Sequence, residues 1–568
     1  MDIIRYALLA GLAVVTYLLL LAWQEDYGVT DTPAPEEIVT TSSSAPDDTA
    51  EDTGTDLPTT APASDGDDIP SVTTSPDSDR EVQTSGSEEL INVQTDVLNV
   101  RIDPVGGDIV YISLPRYPTE LDRPDEPFVL LEETSLRSYV AQSGLVGRDG
   151  IDTGERPRYT TRSTDYVLGP DGRQLQVELE YTDEQGVSIT KRFTFTRGDY
   201  LIDVAYEVDN PTDERWRANL FGQIKRGDFA DPTTGSGFGM QSFLGFATTA
   251  PDDNYIKIDF DEVESRAPHE MEGGWMAFSQ HYFLSAWVAP QTNNRFSTRI
   301  NNQGEYIGGF TSDEFAVPSG ETATRSAGFY AGPKDQYRLA EIAPWLDRTI
   351  DYGWLWFIAS PIYWLLTFIN SFVGNYGWSI LLLTVCVKGI FYKLSATSYR
   401  SMANMRRVMP KMNQLKERFG DDKMRLQKET MELYKKEKIN PFGGCLPILV
   451  QMPVFIALYW VLLESVELRH APFILWIDDL SVMDPYFVLP ILMGASMYLQ
   501  FMLSPTPQDP TQAKIMKFMP VVMTVFFLWF PAGLVLYWLA NSVLGIAQQW
   551  YITSGIEKEQ ARKDAARV

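Results

Sequence analysis

Apolar and polar positions change their pattern several times along the chain. Residues 3–23 form a nearly continuous apolar run, residues 25–89 are polar and acidic, and residues 90–332 alternate between apolar and polar. Long apolar runs return after that point. About 20 apolar residues suffice for a membrane-spanning helix, whereas alternation is typical of half-buried strands. The pattern predicts a membrane protein that carries a large β domain.

The alternating segments predict antiparallel strands. In one of them, one face is formed by Val187, Ile189, Phe193 and Phe195, and in the next by Tyr200, Ile202, Val204, Tyr206 and Val208. Arg197-Gly198-Asp199 lies between the two and is typical of a hairpin turn. Similar short segments recur between Gly, Pro, Asn and Asp residues, so we expect a mostly β domain, a sandwich, over residues 90–345.

Three short motifs in this domain resemble catalytic or binding signatures, but a structural role is the better interpretation of each. His269-Glu270 begins like a zinc-protease helix, but Gly273 stands where the second histidine is needed. Ser188 and Lys191 have serine–lysine spacing but belong to a predicted strand. The glycine-rich segment 235–239 lacks the lysine of a phosphate loop. The domain is predicted to be a binding or scaffolding module.

The orientation of the apolar runs follows from the basic segment 395–441. It contains twelve Lys or Arg against six acids, and such loops stay in the cytoplasm. Residues 354–372 and 376–394 are both apolar and only three residues apart, so both cannot cross. The first contains Pro361 and many Trp and Tyr residues, and is predicted to lie on the outer membrane interface.

Four more spans are predicted at about 446–463, 486–503, 515–530 and 533–551, which gives six crossings with both termini cytoplasmic. The predicted parts are an anchor (1–24), a disordered acidic tether (25–89), the β domain (90–345), an interfacial helix (346–373), span 2 (374–394), a basic helical hairpin (395–441), spans 3–6 (442–552) and a cytoplasmic tail (553–568).

Lys388 and Thr384 are polar residues inside an otherwise apolar span. A lysine at bilayer depth costs about 2.5–3.5 kcal/mol on insertion scales, so it marks a candidate functional site. The alternative is a lysine that extends its ammonium to the cytoplasmic interface. Further polar residues lie in other spans: Gln451, Tyr537 and Asn541. They suit a water-filled cavity, although Asn541 also suits a purely interhelical hydrogen bond.

Composition narrows the function further. The net charge of −29 argues against a nucleic-acid partner such as DNA, but the charge is unevenly placed along the chain, and segment 395–441 is basic. Two cysteines, both in apolar segments, imply no disulfide framework, and three scattered histidines make a histidine-rich metal site a poor hypothesis. No nucleotide-binding motif is present, so no cofactor and no catalytic site are predicted.

Long runs resemble the YidC/Oxa family of membrane insertases. They are NPFGGCLPILVQMPVFIALYWVLLESVELRHAPF, WIDDLSVMDPYFVLPILMG and KIMKFMPVVMTVFFLWFPAGLVLYW, and the anchor, large export-side domain and short tail are similar to the Gram-negative branch. The resemblance covers the chain except the acidic tether. It implies a periplasmic β-supersandwich and a five-helix core around a hydrophilic groove that opens to the cytosol and lipid.

The resemblance also implies the site residues of the groove: Lys388, Thr384, Gln451, Trp529 and Tyr537. The chain departs from the family at Lys388, which replaces an arginine, and at Lys393, which replaces a usual proline. A lysine keeps the charge but not the planar fork, so simple charge attraction of an acidic segment is expected.

The implied function is an insertase and chaperone of the bacterial inner membrane. Its expected partners are nascent membrane proteins, the lipid bilayer, the Sec translocon and, through the basic hairpin, the ribosome. The residues alone leave two other classes of protein possible. A small-solute transporter would use Lys388 as a substrate counter-ion, but the chain lacks a repeated bundle with paired broken helices. An anchored sugar-binding protein would leave five spans unexplained.

Overall fold

The computed structural model describes residues 90–230, 242–419, 422–437, 446–503 and 510–565. The predicted anchor and tether, residues 1–89, and the glycine-rich segment 235–239 lie outside these ranges. The chain forms two compact units. One contains the β domain with residues up to Leu394 and from Pro447 to Tyr551, and the other includes Ser395–Leu446 and Ile552–Val568.

Nineteen strands form the β domain in the described part. They are β1 (Ile91–Gln94), β2 (Asn99–Ile102), β3 (Ile109–Glu120), β4 (Arg123–Glu133), β5 (Ser138–Val146), β6 (Thr160–Thr161), β7 (Asp165–Val167), β8 (Gln174–Thr182), β9 (Ser188–Thr196), β10 (Leu201–Asn210), β11 (Trp216–Arg226), β12 (Gly245–Ala250), β13 (Asp253–Ile258), β14 (His269–Glu272), β15 (Trp275–Ser279), β16 (Phe283–Val288), β17 (Asn293–Ile300), β18 (Tyr306–Val317) and β19 (Glu321–Pro333).

The strands form two sheets. The ten-stranded sheet has the order β14-β17-β18-β11-β5-β4-β3-β2-β1-β7, and the nine-stranded sheet has the order β13-β12-β15-β16-β19-β10-β9-β8-β6. Strands β1 and β7 pair in parallel, and the other strand pairs are antiparallel. The predicted hairpin is confirmed, because β9 and β10 pair across Arg197–Asp199. The predicted faces of β9 and β10 are also confirmed, since all their apolar members are buried.

Side chains from both sheets meet in one apolar core. The indole nitrogen of Trp287 on β16 donates to the Gln223 carbonyl on β11 at 3.0 Å. The hydroxyls of Tyr139 and Ser285, also on opposite sheets, lie 2.6 Å apart. These polar contacts satisfy groups that burial would otherwise leave without partners, and they fix the relative position of the sheets.

The motif residues of the β domain have structural surroundings. Lys191 is fully buried, and its ammonium donates to the carbonyls of Gly106 at 3.0 Å and Ser143 at 3.1 Å. Ser188 is three positions away in the same strand and therefore faces the opposite side. His269 lies in strand β14, where its ring stacks on Phe296, and not on a helix.

Nine α-helices follow in the described part. They are α1 (Gln336–Ile342), α2 (Trp356–Val373), α3 (Tyr376–Ile390), α4 (Tyr392–Phe419), α5 (Lys423–Lys436), α6 (Leu446–Glu464), α7 (Val488–Leu503), α8 (Pro510–Phe526) and α9 (Ala532–Ala565). Short 3-10 turns lie at Leu346–Thr349, Gly353–Leu355, Val466–Leu468 and Phe527–Trp529. The last helix is longer than the predicted sixth span and continues through most of the predicted tail.

Within the described residues, one helical segment, Gly353–Val373, has the length and apolar composition needed to cross a membrane. Helix α3 reaches that length only together with α4, and Val450–Glu464 and Val488–Leu503 are shorter apolar helices. The segment that passes the test alone is the one predicted to lie on the interface. Its position on the membrane surface and the six crossings therefore stay predictions.

The second unit contains the predicted basic hairpin, formed by α4 and α5. Val408 and Met412 of α4 make a small apolar cluster against Leu433 and Tyr434 of α5. The Asp422 carboxylate accepts a hydrogen bond from the Arg425 amide at 3.0 Å and caps the start of α5. The predicted cap is thus confirmed at Asp422, while the rest of the predicted turn, 420–421, and residues 438–441 lie outside the described residues.

Candidate functional site

Helix α3 positions two of the five predicted groove residues. Thr384 and Lys388 are four residues apart, so their side chains occupy the same face of the helix. Thr384 is fully buried, and its hydroxyl donates to the Ile380 carbonyl at 2.7 Å. This local bond explains how an apolar span accommodates a hydroxyl, because it satisfies the donor within the helix.

Lys388 lies half-buried in the last turn of α3. The free carbonyls at a helix C-terminus carry partial negative charge and favour a cation at this position. Among the described residues, Lys388 forms no ion pair with a carboxylate within 4.0 Å. Its positive charge is therefore not neutralised by a neighbouring acid of the described chain.

Helices α6 and α9 bring together three polar side chains. The Gln451 amide of α6 donates to the Asn541 side-chain oxygen of α9 at 3.0 Å. Tyr537 precedes Asn541 by one helical turn, is 1% exposed, and its ring stacks with Phe455 at a centroid distance of 6.3 Å. The predicted residues Gln451 and Tyr537 thus belong to one α6–α9 contact, together with Asn541.

Trp529 occupies a different environment from the other four. It lies in the 3-10 turn after α8 and is 50% exposed. A nearby indole, Trp538, is partly buried against the core, and its ring lies 4.5 Å from Phe455 and 5.1 Å from Phe527. Within the described part, no hydrogen bond or ring contact joins Trp529 or Lys388 to the α6–α9 residues. The five predicted residues therefore form an α3 pair, an α6–α9 pair and a separate tryptophan.

The ends of the helices that lie next to the β domain are covered by the loop between α6 and α7. We name residues 465–487 the outer cap. The carbonyls of Leu480 and Val482 accept hydrogen bonds from the amides of Gly533 at 2.9 Å and Ala532 at 2.7 Å, at the start of α9. The side-chain amide of Asn375, the residue before α3, donates to the Pro472 carbonyl at 2.9 Å. These bonds tie the cap across the bundle.

Sequence reasoning missed the cap as an ordered element, although two local signals were present. Asp479 accepts from the amide and the hydroxyl of Ser481, which is the bonding that an Asp-x-Ser spacing predicts. Asp484 precedes Pro485, and its carboxylate accepts from Trp476 at 2.9 Å and from the Leu489 amide at 2.7 Å. Aspartates in such positions are typical of turns and helix starts.

Two family models match consecutive parts of the chain, the first containing the β domain and the second most of the helices. Residues 90–365 match the YidC periplasmic domain, and residues 368–560 match the 60Kd inner membrane protein family. Membrane protein insertases YidC of Pseudomonas entomophila and Pseudomonas fluorescens are 49% and 50% identical to the chain, each over 100% of both proteins. The homologue in Stutzerimonas stutzeri is 50% identical over 98% of this chain and 99% of its own length.

The chain therefore has the domain composition of a bacterial inner-membrane insertase with a periplasmic domain. It belongs to the YidC family of membrane protein insertases. This family acts in membrane protein insertion and is not a family of catalytic enzymes, so the transporter and sugar-binding hypotheses are set aside.

Solved structures resemble the chain more distantly. An active YidC insertase crystal structure, with the first transmembrane domain resolved, is 18% identical, with a TM-score of 0.37 over 82% of this chain and 93% of that one. A galactose mutarotase related enzyme from Lactobacillus acidophilus is 11% identical, with a TM-score of 0.29 over 43% of this chain and 97% of that one. Likenesses at these TM-scores say nothing about function.

Proposed function

We propose that this insertase receives nascent membrane proteins in a hydrophilic groove of its helical core, where Lys388 attracts their acidic export-side segments. The observation that carries the proposal is a half-buried cation in an apolar helix, without an acidic partner among the described residues. Isolated charges at this depth are costly, so a functional reason is expected for keeping one. An incoming carboxylate would supply the missing partner.

The groove lowers the cost of moving polar chain through hydrocarbon. Burying an amide without a hydrogen bond costs about 2–7 kcal/mol, and a short path through a wet groove reduces that cost. Gln451 and Asn541 would provide polar contacts further along the path, with Tyr537, which is 1% exposed, packed beside them, and Trp529 would contact the apolar part of the substrate. The substrate's apolar helix then partitions into lipid, and burial of its apolar surface drives this last step.

Further parts of the proposal concern topology and partners. Helix α2 would lie on the periplasmic interface, because Trp356, Phe357, Trp364, Phe368 and Phe372 are exposed on it and aromatic rings suit the headgroup layer. The chain would cross the membrane six times with both termini cytoplasmic. The β domain would contact the Sec translocon, and the basic hairpin would contact the ribosome.

A series of substitutions at Lys388 tests the role of its charge. Lys388→Arg should retain insertion, whereas Lys388→Ala and Lys388→Glu should impair insertion of substrates with acidic export-side segments. Insertion of a small model protein into proteoliposomes is measured at equal amounts of each variant. Lys517→Ala, which removes an exposed lysine of α8, is the control. Wild-type insertion by stably expressed Lys388→Glu would overturn the proposal.

A further inference from the structure

The backbone of the outer cap adopts unusual conformations. In the described part, four non-glycine residues have positive φ, and three of them belong to the cap: His470 (59°), Leu475 (59°) and Phe487 (56°). Leucine and phenylalanine rarely adopt this left-handed conformation, because their Cβ atoms crowd the backbone. Such conformations persist only where surrounding contacts impose them. The bonds from the cap to Ala532 and Gly533 hold one side of it, and the β domain holds the other.

The root of the outer cap is fixed by a buried ion pair. Glu464, the last residue of α6, has a side chain with 0% exposure, and the side chain of Lys334, just after β19, has 1%. The lysine nitrogen and the carboxylate oxygen lie 3.6 Å apart. At the preceding residue, the His281 ring nitrogen Nε2 lies 2.9 Å from the Leu463 carbonyl. The β domain therefore contacts α6 at the point where the cap begins.

A second group of contacts holds the first turn of the cap. The Arg469 guanidinium donates to the carbonyls of Pro118 at 2.8 Å and Thr119 at 3.1 Å, near the end of β3. It also lies 5.9 Å from the ring centre of Phe128 and 5.8 Å from that of Phe283. A planar guanidinium can make both kinds of contact at once, which a lysine cannot. Arg469 thus joins the cap to the β3–β4 hairpin.

We propose that Lys334 and Arg469 are positioning residues that hold the outer cap in its closed conformation. Docking of the β domain is thereby coupled to closure of the periplasmic side of the groove. This inference rests on the proposed function, because it concerns the outer boundary of the proposed groove. It assigns the β domain a part in insertion beyond contact with other proteins.

Hydrogen exchange of the full chain in lipid nanodiscs, followed by mass spectrometry, tests the coupling. The reporter segments contain the amides of Leu480, Ala532 and Gly533, which are bonded within or to the cap. In Lys334→Met these segments should exchange about tenfold faster or more, because Glu464 loses its partner and the cap opens more often. The acceleration should be smaller in Lys334→Met/Glu464→Met, which removes both charges together.

Lys225→Met is a matched control, because Lys225 pairs with Glu305 at 3.5 Å within the β domain and both side chains are largely buried. It should leave the cap segments at wild-type rates. Arg469→Gln is a second, independent variant that keeps the Lys334–Glu464 pair, and it should also accelerate exchange in the cap. Wild-type exchange of the cap in folded Arg469→Gln and Lys334→Met would overturn the inference.

The same measurement separates this inference from the role of Lys388. Lys388→Ala should leave exchange in the cap unchanged while it lowers insertion. If the Lys388→Ala variant inserts its substrates normally and Lys334→Met still accelerates hydrogen exchange in the outer cap, the proposed role of the Lys388 charge fails. The positioning role of Lys334 then stands. If Lys388→Ala impairs insertion and the Lys334 and Arg469 variants leave the cap unchanged, the positioning role fails alone.

Discussion

Gln451 donates a hydrogen bond to Asn541 at 3.0 Å, and this bond links α6 to α9 across the helical core. The two side chains are partly buried, so removing one leaves the other with an unmet hydrogen-bonding group. The bond supports the interhelical role that the sequence indicated for Asn541, and it gives Gln451 the same role. Both residues can still bind water or substrate on their remaining donors and acceptors.

The first prediction is a coupling between these residues. Interhelical hydrogen bonds in membranes contribute about 0.6 kcal/mol on average and at most about 1.7 kcal/mol. We expect Gln451→Leu and Asn541→Leu to be coupled by an energy in this range in a double-mutant cycle. Unfolding in mixed detergent micelles measures the four variants. Strict additivity of the two single changes would contradict a direct bond.

The second prediction concerns the close packing of α7 against α8. A Cβ atom on Gly494 would lie 1.9 Å from the Thr524 hydroxyl oxygen, so in Gly494→Ala the Thr524 side chain or one of the two helices must shift. Overpacking of this kind costs about 1–3 kcal/mol. Gly389→Ala is the matched control, because no atom lies within 4 Å of the added group. The temperature at which thermal aggregation begins should be lower for Gly494→Ala than for Gly389→Ala. Equal onset temperatures for the two variants would be evidence against this packing.

The third prediction concerns a pH dependence of the β domain. Burial lowers the pKa of Lys191 to about 7, although Asp108 and Asp152 oppose this effect. An unfolded lysine keeps its proton up to a pH of about 10.4. Between these values the unfolded state binds more protons than the folded state, so stability should increase as the pH rises above 7. The limiting slope is about 1.4 kcal/mol per pH unit for one proton.

Chemical unfolding of the full chain between pH 7 and about 9 measures this slope. Lys191→Met retains most of the apolar stem and removes the titrating group, so its stability should change less with pH in the same range. The difference between the two slopes isolates the lysine from other groups. Parallel slopes for the wild type and Lys191→Met would show that Lys191 does not titrate in this range.

The sequence predicted those features that depend on neighbours along the chain. Alternation identified the buried faces of β9 and β10, and Asp422 was correctly expected to cap the second helix of the basic hairpin. The order of strands in the two sheets was not predictable in this way. Strand β10, for example, pairs with β19, and the alternation of either strand fits many other partners.

The candidate site was only partly predictable for the same reason. Periodicity placed Thr384 and Lys388 on one helix face, but the Gln451–Asn541 bond requires the packing of α6 on α9. The Lys334–Glu464 pair was missed, because a glutamate at the end of an apolar run has the ordinary appearance of an interfacial charge. Its partner lies in another domain, and only the folded chain brings the two together.

The final prediction concerns the basic hairpin formed by α4 and α5. Glu437 pairs with Lys411 at 2.6 Å and with Arg407 at 3.8 Å, so part of the positive charge is neutralised at the base of the hairpin. At the opposite end, Arg418, Arg425 and Lys428 are exposed. Three cations close to the turn form a surface that suits the phosphates of ribosomal RNA. The alternative is a solvated face that rests on anionic lipid.

Deleting the tip around Lys416–Lys428 should lower insertion and ribosome co-sedimentation together, without a change in membrane topology. A milder variant, Arg418→Gln/Arg425→Gln/Lys428→Gln, should weaken co-sedimentation most at low salt, because phosphate contacts lose strength as salt increases. Arg407→Gln/Lys411→Gln is the control, since these cations already pair with Glu437, and it should have the smaller effect. If insertion and co-sedimentation both stay at wild-type levels in the deletion, the hairpin serves only to orient the chain in the membrane.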